Sequence, residues 1–420
     1  MTMKTAALAV LAAGAAMAQP AAAQSLDATI AAALDHSPTL AAARARSDSA
    51  EAKVKAARAE RAPSLSLDGE IGAGRIDPQN FFGLNAANVT PRAARATVEL
   101  PLFTGGRIGA ATAQAKAGRD AAKEQLHEAA LMLRVQVVRS YTSALAAAEL
   151  VARYEKLVAA LDEVVRQAKL KYQSGDGTNT EVAQADARRA EAMAGLASAQ
   201  GQRLIAQSQL ESLAGKPVVV SSSITETPAI PPSADDAAAR ALSQSPAVLA
   251  ADQMVAAARG GVTAARAERL PTVGAFAEGA SVRDQFFPGY KADSGTVGVR
   301  AHWTLFSGGR NAAKEDGAAA DLRAAEADAA AARMAAGQQA VAGFQSVLTA
   351  RAVLDAATAR VTATQQALDD TRLEVKAGAK PQLALLDAER EAIEAESARV
   401  SAQGDVLVAT YQLRAIAGMD

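Results

Sequence analysis

Three histidines, His36, His127 and His302, are the side chains best suited to hold a metal, and they are too scattered along the sequence to form one site. His127 is followed by Glu128, but the second histidine of the zinc-protease helix pattern is missing. There is no cysteine, which excludes thiolate metal sites, disulfides and a lipid anchor on an N-terminal cysteine. No nucleophile elbow or phosphate-binding loop occurs, and Gly69, Gly72 and Gly74 read as glycines within a strand. The many Asp and Glu residues have Arg partners at helical spacing, the pattern of solvated faces. With no grouping of nucleophile and base, neither catalysis nor a cofactor is expected.

The elements that would position these residues have an unusual composition. Half of the 420 residues are hydrophobic but only 3% are aromatic, and alanine dominates. Such a mixture makes long helices with thin, small-residue seams rather than a thick core. The formal net charge is −1, so the chain lacks the basic excess that nucleic acid requires. Residues 1–24 read as a secretory signal: Lys4 supplies the positive start and Ala6 to Ala16 the apolar stretch. Cleavage fits after Ala16-Met17-Ala18 or after Ala21-Ala22-Ala23. Beyond residue 24 no run approaches the ~18 apolar residues of a membrane-spanning helix, so any crossing must use strands.

The chain is duplicated. Ala56-Ala57-Arg58-Ala59-Glu60-Arg61-Ala62-Pro63 recurs 208 residues later, with Leu270 in place of Ala62, ending at Pro271. Leu102-Phe103-Thr104-Gly105-Gly106-Arg107 recurs 203 residues later as Leu305-Phe306-Ser307-Gly308-Gly309-Arg310. The first repeat takes residues 25–215 and the second 233–420, with a polar linker at 216–232.

Each repeat predicts the same order. A helix opens at Ser37-Pro38 and runs to about Ala62, where Pro63 stops it. A hairpin of period-2 strands follows, at about 64–74 and 94–103, then at about 272–282 and 295–306 in the second copy. Leu65, Leu67 and Ile71 share one face, as do Val297, Val299, Ala301 and Trp303. The pairs Gly105-Gly106 and Gly308-Gly309 turn strand into helix. Long helices follow at about 107–172 and 310–376; the first, at 1.5 Å per residue, is about 100 Å. Leu150, Tyr154, Leu157, Leu161, Val164 and Ala168 form its seam at coiled-coil spacing, repeated by Leu354, Ala357, Val361, Thr364 and Leu368. Gly175, Gly177 and Gly378 break these helices, and return helices run 178–214 and 381–417.

The fold class is therefore α+β, mainly α. Four strands of ~10 residues suit a tilted membrane crossing, but four cannot close a barrel, and an open edge in lipid leaves backbone groups unpaired. Two chains would supply eight strands and three would supply twelve; twelve leaves a lumen that side chains do not fill. Phe103, Trp303 and Phe306, at the strand ends, suit an aromatic girdle facing outer-membrane lipid. The alternative is a soluble periplasmic coiled-coil scaffold or adaptor, with the hairpins packed on helices.

The paired Leu-Phe-(Thr/Ser)-Gly-Gly-Arg turns, the paired Arg-x-Pro breaks and the glycine-containing hairpin tips together resemble the outer membrane efflux factors, the TolC-like family. The resemblance spans essentially all of residues 25–420. It implies a homotrimer with a 12-stranded transmembrane β-barrel continuing into an α-helical coiled-coil tunnel. It also implies a periplasmic adaptor (membrane fusion) protein docking at the tips, and an inner-membrane pump or ABC transporter supplying energy for tripartite efflux or type I secretion. A periplasmic gate is implied just past the tip glycines. There Asp387 falls on one of two ring aspartates, Ala384 replaces the other, Lys380 falls where a gating arginine is often found, and Thr180 and Glu181 resemble the polar pair that bonds across the gate. Three copies of Asp387 about one axis would attract cations and repel anions.

Overall fold

The computed structural model describes residues 25–77, 86–220 and 227–419. The signal reading of 1–24, Phe81 and Phe82, and part of the linker, 221–226, lie outside the described residues.

Helix α1 (Leu26–His36) opens on Ser25, whose hydroxyl accepts from the Ala28 N–H at 3.3 Å, and α2 follows at Pro38–Ala59. Strands β1 (Ser64–Ile71), β2 (Gly74–Ile76), β3 (Ala87–Val89) and β4 (Arg92–Phe103) lead into α3 (Arg107–Ser174) and α4 (Asn179–Ala214). The second repeat gives α5 (Ala234–Gln244), α6 (Pro246–Ala267), β5 (Thr272–Arg283), β6 (Lys291–His302), α7 (Arg310–Lys376) and α8 (Gln382–Ile416).

Several boundaries differ from those read in the sequence. Helix α2 ends at Ala59 rather than Ala62, because Pro63 disfavours helical angles just before it and the last residues tighten into turns. The expected 64–74 strand breaks after Ile71, with the short β2 beyond it. Strand β6 occupies 291–302, not 295–306: β5 begins at Thr272, which faces His302, so no strand is left to pair with Trp303 to Phe306. Helices α1 and α5 precede the first elements read from the sequence.

The chain forms two compact units. One takes residues up to 37, 132–230 and 345–412; the other takes 38–131, 231–344 and 413 onward.

The second unit holds the sheet. Its strand order is β1-β4-β5-β6, antiparallel throughout, with β2 and β3 pairing separately. The two hairpins share one register: Ser64 faces Glu99 as Thr272 faces His302. Both pairs are related by the sequence offsets of 208 and 203. The seam β4–β5 joins the repeats, leaving β1 and β6 as edges.

The first unit is helical. Between 351 and 371 of α7, the residues that are not exposed are Leu354, Ala357, Val361, Thr364, Leu368 and Thr371, a heptad seam. Helix α4 buries Ala185, Ala192, Ala199 and Ala206, seven residues apart. Leu157 and Leu161 of α3, Ala192 of α4 and Leu386 of α8 form a buried cluster with Tyr154 packed against it. Gly195 makes room for that ring, since a Cβ there would come 2.4 Å from Tyr154 Cε1.

Candidate functional site

The hairpin tips are built by helix ends. Gly175 (φ 83°) and Gly378 (φ 77°) take left-handed angles that L side chains resist, ending α3 and α7. Beyond Gly175, Thr178 caps α4: its hydroxyl accepts from the Glu181 N–H at 3.3 Å, while Glu181 Oε2 accepts from the Thr178 N–H at 3.1 Å. Gly177 sits inside this turn, where a Cβ would meet Lys171 Cβ at 3.0 Å. In the single chain the Glu181 carboxylate is therefore engaged on its own helix start, and Thr180 is exposed beside it. The capping-box spacing Thr178-x-x-Glu181 was present in the sequence.

Glu181, Gly378 and Lys380 line one cleft of about 310 Å³, together with Lys171, Pro381 and Leu386. Lys380 Nζ lies 2.6 Å from Glu374 Oε2. Asp387 does not line the cleft. Its Oδ1 lies 3.3 Å from Arg188 Nη2 of α4, an ion pair between the two repeats with both side chains partly exposed. The sequence reading missed Arg188, because nothing local connects residues so far apart in the chain. Other pairs tie these helices to their neighbours: Arg189 of α4 to Asp162 of α3, and Glu389 of α8 to Arg372 of α7 at 3.5 Å.

A partly buried cluster holds α8 against α3. Glu396 accepts from Arg399 Nε at 2.9 Å and from Arg153 Nη2 at 3.1 Å. The Arg399 hydrogen bond, aided by the charges of Arg399 and Arg153, holds the Glu396 carboxyl below the usual carboxylate range, against the opposing effect of burial. Nearer the tip, hydrogen bonds from Arg166 and Gln167 hold Glu163 down to about 2.

The sheet presents a different surface. Every residue of β1 is exposed, including Leu65, Leu67 and Ile71, and β6 leaves Val297 81% exposed and Val299 65%. Phe103 ends β4, whereas Trp303 and Phe306 lie past the end of β6, and all three are exposed. Trp303 Nε1 donates to the Arg269 carbonyl at 3.0 Å. Exposed apolar rows on a sheet face mark a surface that meets another protein or a membrane. Among the described residues no helix is long and apolar enough to cross a membrane. Among the described residues no cluster of metal-ligating side chains is found.

The sequence model of the outer membrane efflux protein family matches residues 29–216 and 237–419, one segment in each repeat. The chain belongs to the outer membrane efflux protein family. This is a transport family of the outer membrane, not a family of enzymes. The outer membrane efflux protein BepC of Brucella suis is 30% identical over 280 residues, which covers 66% of this chain and 61% of BepC. The match thus spans less than two thirds of that relative. Solved structures share the fold at lower identity. A membrane protein from Pseudomonas aeruginosa superposes with a TM-score of 0.79 at 20% identity, covering 94% of this chain and 90% of that one. The Campylobacter jejuni CmeC outer membrane channel gives 0.80 at 15% identity, covering 94% and 85%. The open state of the Neisseria gonorrhoeae MtrE outer membrane channel gives 0.73 at 21% identity, covering 94% and 89%. The fold is therefore that of the TolC-like channels.

Proposed function

We propose that the protein is the outer-membrane exit channel of a tripartite efflux or type I secretion system. Three copies would join their four-stranded sheets into one 12-stranded barrel, and the long helices would continue it as a tunnel into the periplasm. The observation that carries this reading is the sheet: four antiparallel strands, two edges without partners among the described residues, and exposed apolar rows on those edges. Lipid tolerates such a sheet only when its edges are closed. The chain's own residues would do no covalent chemistry; energy would come from an inner-membrane pump or ABC transporter, reached through a periplasmic adaptor at the tips around Gly175, Gly177 and Gly378.

In this reading the cleft of Glu181 and Lys380 lies next to the gate, and the Arg188–Asp387 pair holds the second repeat's tip against the first. Membrane fractionation tests the proposal. A channel stays with outer membranes after high-salt washing and needs detergent for release. Recovery in the salt wash would instead support the soluble scaffold.

A further inference from the structure

The seam between the repeats shows how copies would meet. Resting on the oligomeric barrel proposed above, we infer that β6 of one copy pairs antiparallel with β1 of the next in a single register, with Val299 opposite Ile71 of the partner subunit.

The register follows from the duplication. The offsets of 208 and 203 carry the first hairpin onto the second residue for residue: Ser64↔Glu99 becomes Thr272↔His302, which is the pairing observed. The repeats are thus equivalent down to hydrogen-bond register. Within the chain, β4 meets β5 with Ala96 opposite Gly279 and Thr97 opposite Glu278. The same offsets turn β4 into β6 and β5 into β1 of the next copy. Thr97↔Glu278 then becomes Arg300 opposite Glu70 of the partner subunit, and Glu99↔Phe276 becomes His302 opposite Asp68 of the partner subunit.

Several features fit this register. Apolar Val299 falls opposite apolar Ile71, and Trp303, the first residue past β6, would extend the ladder to Leu67, whereas a slip by one residue would set Trp303 against Ser66 or Asp68. Both acids on the polar face of β1 meet a basic side chain, an arrangement that stabilises directly opposed positions. Arg300 has donors to spare: its Nη1 reaches Glu99 at 3.1 Å, and a guanidinium carries five N–H groups. The helices above the sheet match in size as well. Where α6 crosses α3 inside the chain, a Cβ on Gly260 would come 3.1 Å from Gln114 Cβ, so that crossing is tight and favours a small residue. The equivalent pair between copies is Ala52 and Gly317: the small residue has changed sides, and Gly317 has nothing within 4 Å of a built Cβ.

Engineered cysteines test the register in a chain that has none of its own. Opposed residues lie ~5 Å apart between Cα atoms, within reach of a disulfide. Within one chain β1 and β6 are three strand spacings apart, ~14 Å, so only copies can be linked. The double variant Ile71→Cys/Val299→Cys, oxidised in outer membranes, is expected to give a covalent ladder ending at the full oligomer on non-reducing gels. Ile71→Cys/Val297→Cys and Ile71→Cys/Ala301→Cys should link several-fold less. Leu67→Cys/Trp303→Cys reads the same register should the first variant fail to assemble. A ladder favouring either displaced pair overturns the register. No link in any variant, from a protein that still runs as an oligomer in detergent, overturns the β6–β1 pairing alone. A monomer in detergent overturns the barrel reading beneath it.

Discussion

Leu67→Arg separates a lipid-facing row from a merely exposed one. Leu67 is 78% exposed in the single chain, so in a soluble hairpin an arginine there changes stability by no more than about 0.5 kcal/mol. Its ladder neighbours are Ala96, then Gly279 across β5, then Gly295. Ala96 and Gly279 lie well inside their 12-residue strands, so in a membrane Leu67 would sit near mid-depth. A charge there costs about 2–4 kcal/mol in a transmembrane barrel, falling to about 0–1 near the interfaces. At 1.4 kcal/mol per tenfold, that lowers the folding equilibrium about 30- to 700-fold. Ser66→Arg, one residue away on the polar face beside Thr97, is the control and should cost little. Equilibrium urea unfolding of both variants in phospholipid vesicles reads the difference. Equal midpoints would refute the assignment of this face to lipid.

Truncating the buried Leu386→Ala should cost about 2–5 kcal/mol, seen as a lower denaturant midpoint, because it empties the cluster with Leu157, Leu161 and Ala192. The Glu396 carboxyl titrates below its ordinary value, so its stabilisation is present above about pH 4.3 and is lost as pH falls from there towards the depressed value. Glu396→Gln should therefore lower the midpoint at pH 7 and narrow the gap between pH 7 and pH 3; an unchanged gap would contradict the role given to Arg399 and Arg153. Asp387→Ala should alter cation block or selectivity in planar bilayers, and an unchanged conductance profile would retire the carboxylate ring. Arg188→Ala should raise the open probability if its pair with Asp387 holds the tip closed.

Much of the architecture was legible because it is periodic and duplicated. Leu354, Ala357, Val361, Thr364 and Leu368 read as a seam from spacing alone, and the residues between them are solvent-facing. The Gly105-Gly106 and Gly308-Gly309 turns were legible because positive φ, between 60° and 87°, selects glycine. The end of β6 was not: Trp303 and Leu305 continue the apolar alternation past His302, and only the partner strand's start at Thr272 stops the ladder. Its start was hidden too, since Lys291 to Ser294 lack alternation and are strand only through pairing with 280–283. Neither the strand order nor the Arg188–Asp387 pair has a local signal, because both join the two repeats across about 200 residues.

The mass of the protein in detergent tests the account most directly. Purified from outer membranes and measured by light scattering with the detergent contribution removed, the protein should have three times the mass of one chain. A single-chain mass would mean that the four strands stand alone, and the channel reading would fall.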